Sequence, residues 1–127
     1  MIARLSDRPA GTVTPIDPGT LLGHWINYDT SSRNIAGLTI AQRGEAVVLR
    51  VTGAPNVDWG ETSIEPFSLT TAGGEAAAFR AAYEFGFARI AILAYLNKRL
   101  LVVDAYTTFH DDSGRSNYFA RDHFWSR

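Results

Sequence analysis

Hydrophobic and polar residues alternate along most of the chain from residue 22 onward. A period of two places successive side chains on opposite faces of an extended chain, so the pattern predicts half-buried β-strands. In the segment 46–52, for example, Val47, Leu49 and Val51 share one face. Turn-forming glycine, serine, asparagine and aspartate separate the runs. The clearest predicted strands are 22–29, 35–42, 46–52, 61–69, 99–110 and 115–126, and residues 53–60 are predicted to be a loop.

Residues 76–85 fit two structures. Their alanines favour a helix, on which Phe79 and Tyr83 would stack one turn apart. The segment nevertheless runs into the β-like residues 87–96 with only Gly86 between them, and ten residues make a short isolated helix. We therefore favour a strand here.

The predicted fold is all-β, a seven- or eight-stranded antiparallel up-and-down barrel with an extended N-terminal arm. Short connections favour sequential hairpins, and a meander of that length can close and leave no free edge. Residues 1–20 are predicted to be the arm, because Pro9, Pro15 and Pro18 oppose both helix and central strand. Residues 21–127 then form a single barrel domain.

The last two strands predict a hairpin in which Asp104 lies opposite Arg121, with a four-residue loop at "DDSG". One face is mostly polar or aromatic and the other is apolar, so a register shift of one residue would destroy the sorting. The first face carries Asp104, Tyr106, Phe119, Arg121, His123 and Trp125. The second carries Leu101, Val103, Ala105, Phe109, Tyr118, Ala120 and Phe124.

Composition narrows the function classes. The net charge is −1, which argues against a nucleic-acid or membrane-surface binder. The chain has no cysteine, its three histidines have no metal-site spacing, and phosphate-binding glycine motifs are missing. We therefore expect no metal and no cofactor. With neither a signal-peptide pattern nor a membrane-spanning run, the expected location is cytoplasmic.

The residues Gly23-His24-Trp25-Ile26-Asn27 open the first predicted strand. They resemble the Gly-x-Trp start of calycin barrels, the lipocalin and avidin superfamily, and the Trp-x-Asn form is closer to avidin. The resemblance implies that Trp25 plugs or lines one barrel end. Biotin-binding residues beyond Asn27 have no counterpart, so biotin binding does not carry over. "VDWGE" and the last hairpin are also similar to uncharacterised bacterial domains with a Trp-x-Asn opening.

The polar strip on the last hairpin is the candidate catalytic group: Asp104, Tyr106, Arg121 and His123. Inside a barrel, the opposed Asp104 and Arg121 would form a fork pair, and His123 could transfer a proton. The alternative is that this face lies outside, where an ion pair contributes little to stability.

Aromatic residues are the candidate ligand-binding groups, because ligand pockets are apolar with a few placed polar atoms. Trp59 could form a lid at the barrel mouth or pack back to cap it. An ordinary packed core is the alternative for the whole set. The candidates are Trp25, Asn27, Trp59, Tyr83, Tyr95, Phe119 and Trp125.

Three functions are consistent with these patterns. The first is binding of a small apolar or aromatic ligand inside a calycin-like barrel. The second is a cofactor-independent cyclase or isomerase of a bacterial natural-product pathway, which would work by orienting its substrate. The third is an oligomeric structural module, a homodimer or homotetramer that buries outer faces.

Overall fold

A computed structural model describes residues 15–127, of which 66% lie in β-strands and almost none in helices. The all-β prediction is confirmed, and residues 76–84 form a strand as favoured. A 3-10 turn, Pro18–Thr20, follows the first strand. The strands of the described part are β1 Ile16–Asp17, β2 Gly23–Asn27, β3 Ile35–Arg43, β4 Ala46–Gly53, β5 Val57–Ser63, β6 Glu65–Ser68, β7 Gly74–Glu84, β8 Ala88–Asn97, β9 Leu100–Phe109 and β10 Tyr118–Ser126.

The strands form one strongly curled mixed sheet, a half-barrel. Their order is β1-β7-β8-β9-β10-β2-β3-β4-β5, and β6 also pairs with β7. The β1–β7 pair is parallel and the other pairs are antiparallel.

The predicted closed up-and-down barrel is wrong, and the count of seven or eight strands is not confirmed. The chain passes from β5 to β6 at Ile64, so β5 pairs with β4 while β6 pairs with β7. Across the seam between β5 and β7, the Thr62 hydroxyl donates to the Ala82 carbonyl at 3.1 Å, and these two strands share no backbone ladder. Alternation could not reveal this, because it records faces and not partners.

The hydrophobic core fills the concave side of the half-barrel. Every long strand contributes alternate residues to it, as a period of two requires. Phe79, Ile92, Leu101 and Phe124 are among its fully buried side chains. The centre of the curl is therefore occupied by the protein's own side chains.

One end of the half-barrel, here called the arm end, is covered by the segment before β2. Trp25 is buried there, and its indole Nε1 donates to the Leu21 carbonyl at 2.9 Å. The Thr20 hydroxyl donates to the Ala76 carbonyl at 2.6 Å. Of the predicted arm, residues 1–14 lie outside the described range, and Ile16–Asp17 pair with β7.

The opposite end, here called the loop end, gathers four connections. Antiparallel pairing brings together residues 28–34, 54–56, 85–87 and 110–117. The predicted register of the last hairpin is confirmed, with Asp104 opposite Arg121. Its connection, 110–117, is longer than the four residues predicted. Residues 57–60, predicted to be a loop, belong to β5.

Candidate functional site

A pocket of about 170 Å³ opens at the loop end, on the concave side of the sheet. We call it the mouth pocket. Its walls come from the start of β3, the end of β4, the start of β5, the end of β9 and the start of β10. Its lining residues are Arg33, Asn34, Ile35, Gly53, Ala54, Val57, Trp59, Ala105, Thr107, Tyr118 and Ala120.

A β-bulge directs Trp59 into this pocket. Thr52 pairs with Asp58 and Arg50 pairs with Glu61, so Trp59 and Gly60 together face the single residue between them on β4. Gly60 has φ +84°, which a glycine adopts without strain. Such a bulge bends the strand and re-aims a side chain.

Two contacts hold the bulge. The Asp58 carboxylate accepts a hydrogen bond from the Gly60 backbone N–H at 2.8 Å and pairs with Arg50 at 2.7 Å. The Trp59 ring lies directly over Gly53, where a Cβ would overlap the indole nitrogen. The sequence Asp58-Trp59-Gly60 therefore fixes the indole against the pocket wall.

Aromatic rings form a collar at the loop end. Trp59 meets Tyr83 edge-on, with centroids 5.6 Å apart, and Tyr83 stacks on Phe85 at 5.6 Å. We define this aromatic collar as Trp59, Tyr83, Phe85, Phe87, Phe109 and Tyr118.

Arg115 links the two halves of the collar. Its guanidinium lies 4.2 Å from the Phe109 centroid and 5.6 Å from that of Phe87. The Asp111 carboxylate pairs with Arg115 at 3.0 Å. Hydrogen bonds from Ser113, with a smaller contribution from Arg115, keep the pKa of Asp111 below its ordinary value. Phe87 and Tyr118 remain half-exposed at the rim.

Thr107 is the notable polar residue of the pocket. The residue is only 6% exposed, and its hydroxyl has no hydrogen-bond partner among residues 15–127. No fully buried side-chain oxygen or nitrogen in this part of the chain lacks a partner, so the hydroxyl oxygen is open to the pocket that Thr107 lines. Buried hydroxyls are usually paired within the protein or by water. The Thr107 hydroxyl is therefore available to a molecule in the mouth pocket.

The Tyr83 hydroxyl connects the collar to the bulge through hydrogen bonds. Its hydroxyl accepts from the Val51 N–H at 3.2 Å and donates to the Gly60 carbonyl at 2.8 Å. The bulge leaves Val51 without a paired residue on β5, so the hydroxyl replaces a missing ladder bond. Burial raises the pKa of Tyr83 to about 12.

The polar strip predicted as catalytic lies on the outer face, away from the core. Leu101, Val103 and Ala105 of β9 point inward, so Asp104 and Tyr106 point outward. Arg121 and His123 follow the same alternation on β10, where Phe124 points inward. The four side chains thus share a face, as predicted, but do not line the concave side.

Within this strip, Asp104 and Arg121 form a two-pronged ion pair with distances of 2.7 and 2.9 Å. Asp104 is buried beneath its neighbours, and its hydrogen bonds and charge raise the pKa of Arg121. Arg121 and His123 also border an outer groove of about 410 Å³ with Tyr28 and Leu100.

The remaining predicted ligand-binding residues are spread over the molecule. Trp59 and Tyr83 lie at the loop end, whereas Trp25 lies at the arm end. Asn27 is buried and satisfied, since it donates to the Ile35 carbonyl and accepts from the Asp29 N–H. The other three point outward: Tyr95, Phe119 and Trp125.

A larger groove, about 560 Å³, runs along the outside of β2 and β3 between Ile26 and Pro55. Asn27 lines it, but both of its hydrogen-bonding groups are already used. In the mouth pocket, by contrast, the Thr107 hydroxyl has no hydrogen-bond partner among residues 15–127.

Sequence reasoning missed Thr107. Alternation places it on the inward face with Val103 and Ala105, and that signal was available. Four collar residues are also absent from the predicted ligand-binding set: Phe85, Phe87, Phe109 and Tyr118.

Within residues 15–127, no group of three acidic or histidine side chains is arranged to hold a metal ion, and no helix has the length and apolarity to cross a membrane. Comparison with protein-family models, curated proteins and solved structures gave no match.

Proposed function

We propose that this protein binds a small aromatic molecule in the mouth pocket. The observation that carries the proposal is the Thr107 hydroxyl, which belongs to a largely buried residue, has no hydrogen-bond partner in residues 15–127 and is open to an aromatic-walled pocket. A ligand hydroxyl or carbonyl would satisfy it. Apolar walls with a few placed polar atoms are typical of small-molecule sites.

The pocket volume suits a single ring. An engineered apolar cavity of about 150 Å³ accepts benzene, and the mouth pocket measures about 170 Å³. Trp59 and Tyr118 would contact the ring, and such aromatic pairs favour edge-on or offset stacking. Arg33 lies on the rim, where it could meet a polar substituent pointing to solvent.

The proposed ligand site lies at the loop end, whereas the sequence suggested a site in the interior. Buried side chains such as Phe79, Ile92 and Leu101 fill the concave centre, so an interior ligand would have to displace them. A calycin-like relationship, suggested by Gly23-His24-Trp25-Ile26-Asn27 and the all-β curled sheet, is part of the proposal.

Titration with benzyl alcohol and toluene, followed by ligand-detected NMR, tests the proposal. We expect benzyl alcohol to bind with a Kd on the order of 1 mM, which is reasonable for so few atoms. Thr107→Val should weaken benzyl alcohol about 2- to 10-fold, the value of one hydrogen bond. Toluene cannot make this bond, so its affinity should not change.

Thr108→Val is the matched control, because Thr108 is the exposed, outward-facing neighbour on the same strand. It should leave both affinities unchanged. Thr107→Val should keep the stability of the parent, because the hydroxyl that it removes makes no hydrogen bond within residues 15–127. Failure of both probes to bind, or equal effects of the two valine variants, would overturn the proposal.

A further inference from the structure

A second feature of the molecule lies on the opposite side of the sheet from the mouth pocket. Six large hydrophobic side chains project from the outer face of β6, β8, β9 and β10, each 41–49% exposed. We call them the outer apolar face: Phe67, Leu93, Tyr95, Tyr106, Phe119 and Trp125.

The register shows that this face is continuous. Tyr106 lies opposite Phe119 on β10, and their ring centroids are 5.0 Å apart. One step along the strands, Leu93 lies opposite Asp104. At the next step, Tyr95 lies opposite Val102, which is only 1% exposed although it points outward. Neighbouring side chains therefore cover the middle of the face.

Charge on this face is locally balanced. Asp104 and Arg121 pair with each other at its centre, and Arg80 pairs with Glu65 at its margin. Arg121 also lies 5.7 Å from the Phe119 centroid. A balanced face does not select a strongly acidic or basic partner.

The area matches what a stable dimer requires. A whole aromatic side chain presents about 150–250 Å², so six large side chains at this exposure contribute roughly 500 Å². Adding the exposed parts of Arg121, His123 and Leu100 brings the face close to the ~800 Å² per partner of a standard interface. The largest apolar patch of a typical monomer is about 300–600 Å² and is often functional.

We propose that two copies of this chain pack outer face to outer face in a two-fold dimer. A balanced, apolar sheet face is complementary to a copy of itself, because each Arg121–Asp104 pair stays intact while the aromatic rings interdigitate. Sheets that pack face to face lie about 10 Å apart and bury such side chains between them. The interface is independent of the mouth pocket, which opens on the concave side.

Light scattering during size-exclusion chromatography measures this directly. We expect a mass twice the 13.9 kDa of the chain. Phe119→Glu should halve the measured mass, because the dimer would have to bury the glutamate charge in its interface and should not form. Val48→Glu is the control, since Val48 lies on the outward side of β4, away from this face, and should leave the dimer intact. Circular dichroism checks that both variants fold.

A milder variant keeps the proposal testable if Phe119→Glu fails to fold. The chain has no cysteine, so Tyr106→Cys and Val48→Cys each provide one thiol for maleimide labelling. Labelling of Tyr106→Cys should slow as protein concentration rises, while that of Val48→Cys should not. A parent chain that stays monomeric at roughly 100 μM, well above micromolar dissociation constants expected for this area, would overturn the proposal.

Discussion

The hydroxyl groups of Tyr83 and Thr107, both at the loop end, have different roles. Tyr83 is a structural residue, because its hydroxyl joins β7 to the bulged pair of β4 and β5. Thr107 makes no such bond within the described residues and is free for a ligand. Sequence alone could not separate them, since both are inward-facing residues with a hydroxyl. The difference depends on the bulge opposite Tyr83, which is a long-range feature.

Tyr83→Phe should therefore destabilise the protein by about 1–3 kcal/mol at neutral pH, because the buried Val51 N–H loses its acceptor. Tyr118→Phe is the matched control, since the Tyr118 hydroxyl has no hydrogen-bond partner in residues 15–127. Urea unfolding of the three proteins measures the difference. An equal loss in both variants would contradict the role assigned to Tyr83.

The stability contributed by Tyr83 should also depend on pH. The folded protein retains its phenol proton up to a pKa of about 12, whereas an ordinary tyrosine releases it near 10.0. The contribution is therefore complete below pH 10 and is lost as the pH rises towards 12. The free-energy difference between parent and Tyr83→Phe should shrink over that range. A constant difference would show that Tyr83 is not buried in this way.

At the scale of elements, alternation predicted the strand positions and the register of the last hairpin. It failed at the start of β5, where residues 57–60 are predicted to be a loop, because the bulge at Trp59 and Gly60 interrupts the period of two. It also could not decide which face of β9 and β10 is inside, because both faces carry large hydrophobic residues. Contacts between distant segments determine which strands meet at the seam. The same contacts determine that the sheet remains a half-barrel.

Gly60→Ala tests the bulge. A side chain at φ +84° costs about 1–2 kcal/mol in the left-handed region, and relief of that strain would turn Trp59 away from the pocket. Gly44→Ala is the control, because Gly44 has φ +63° in the turn between β3 and β4, and neither glycine has an atom close to the added Cβ. Both variants should lose stability, but only Gly60→Ala should lose affinity for benzyl alcohol. Equal affinities of the two variants for benzyl alcohol would show that the bulge does not position the ligand site.

At the scale of the whole molecule, the curled sheet separates two surfaces. The concave side carries the core and opens at the loop end into the mouth pocket, which we propose as the ligand site. The outer side carries the apolar face, which we propose as the dimer contact. Asp104, Tyr106, Arg121 and His123, expected from the sequence to act inside a barrel, belong to this outer side. Ligand binding and assembly can therefore be measured separately.

The three tryptophans lie in three different parts of the molecule and can be observed separately. Trp59 lies at the mouth pocket, Trp25 is buried at the arm end, and Trp125 is on the outer apolar face. Each gives one indole N–H signal in a nitrogen-15 NMR spectrum. Titration with benzyl alcohol at constant protein concentration should shift the Trp59 signal and leave the other two in place. An unmoved Trp59 signal, or a shift confined to Trp25 or Trp125, would contradict a ligand site at the mouth.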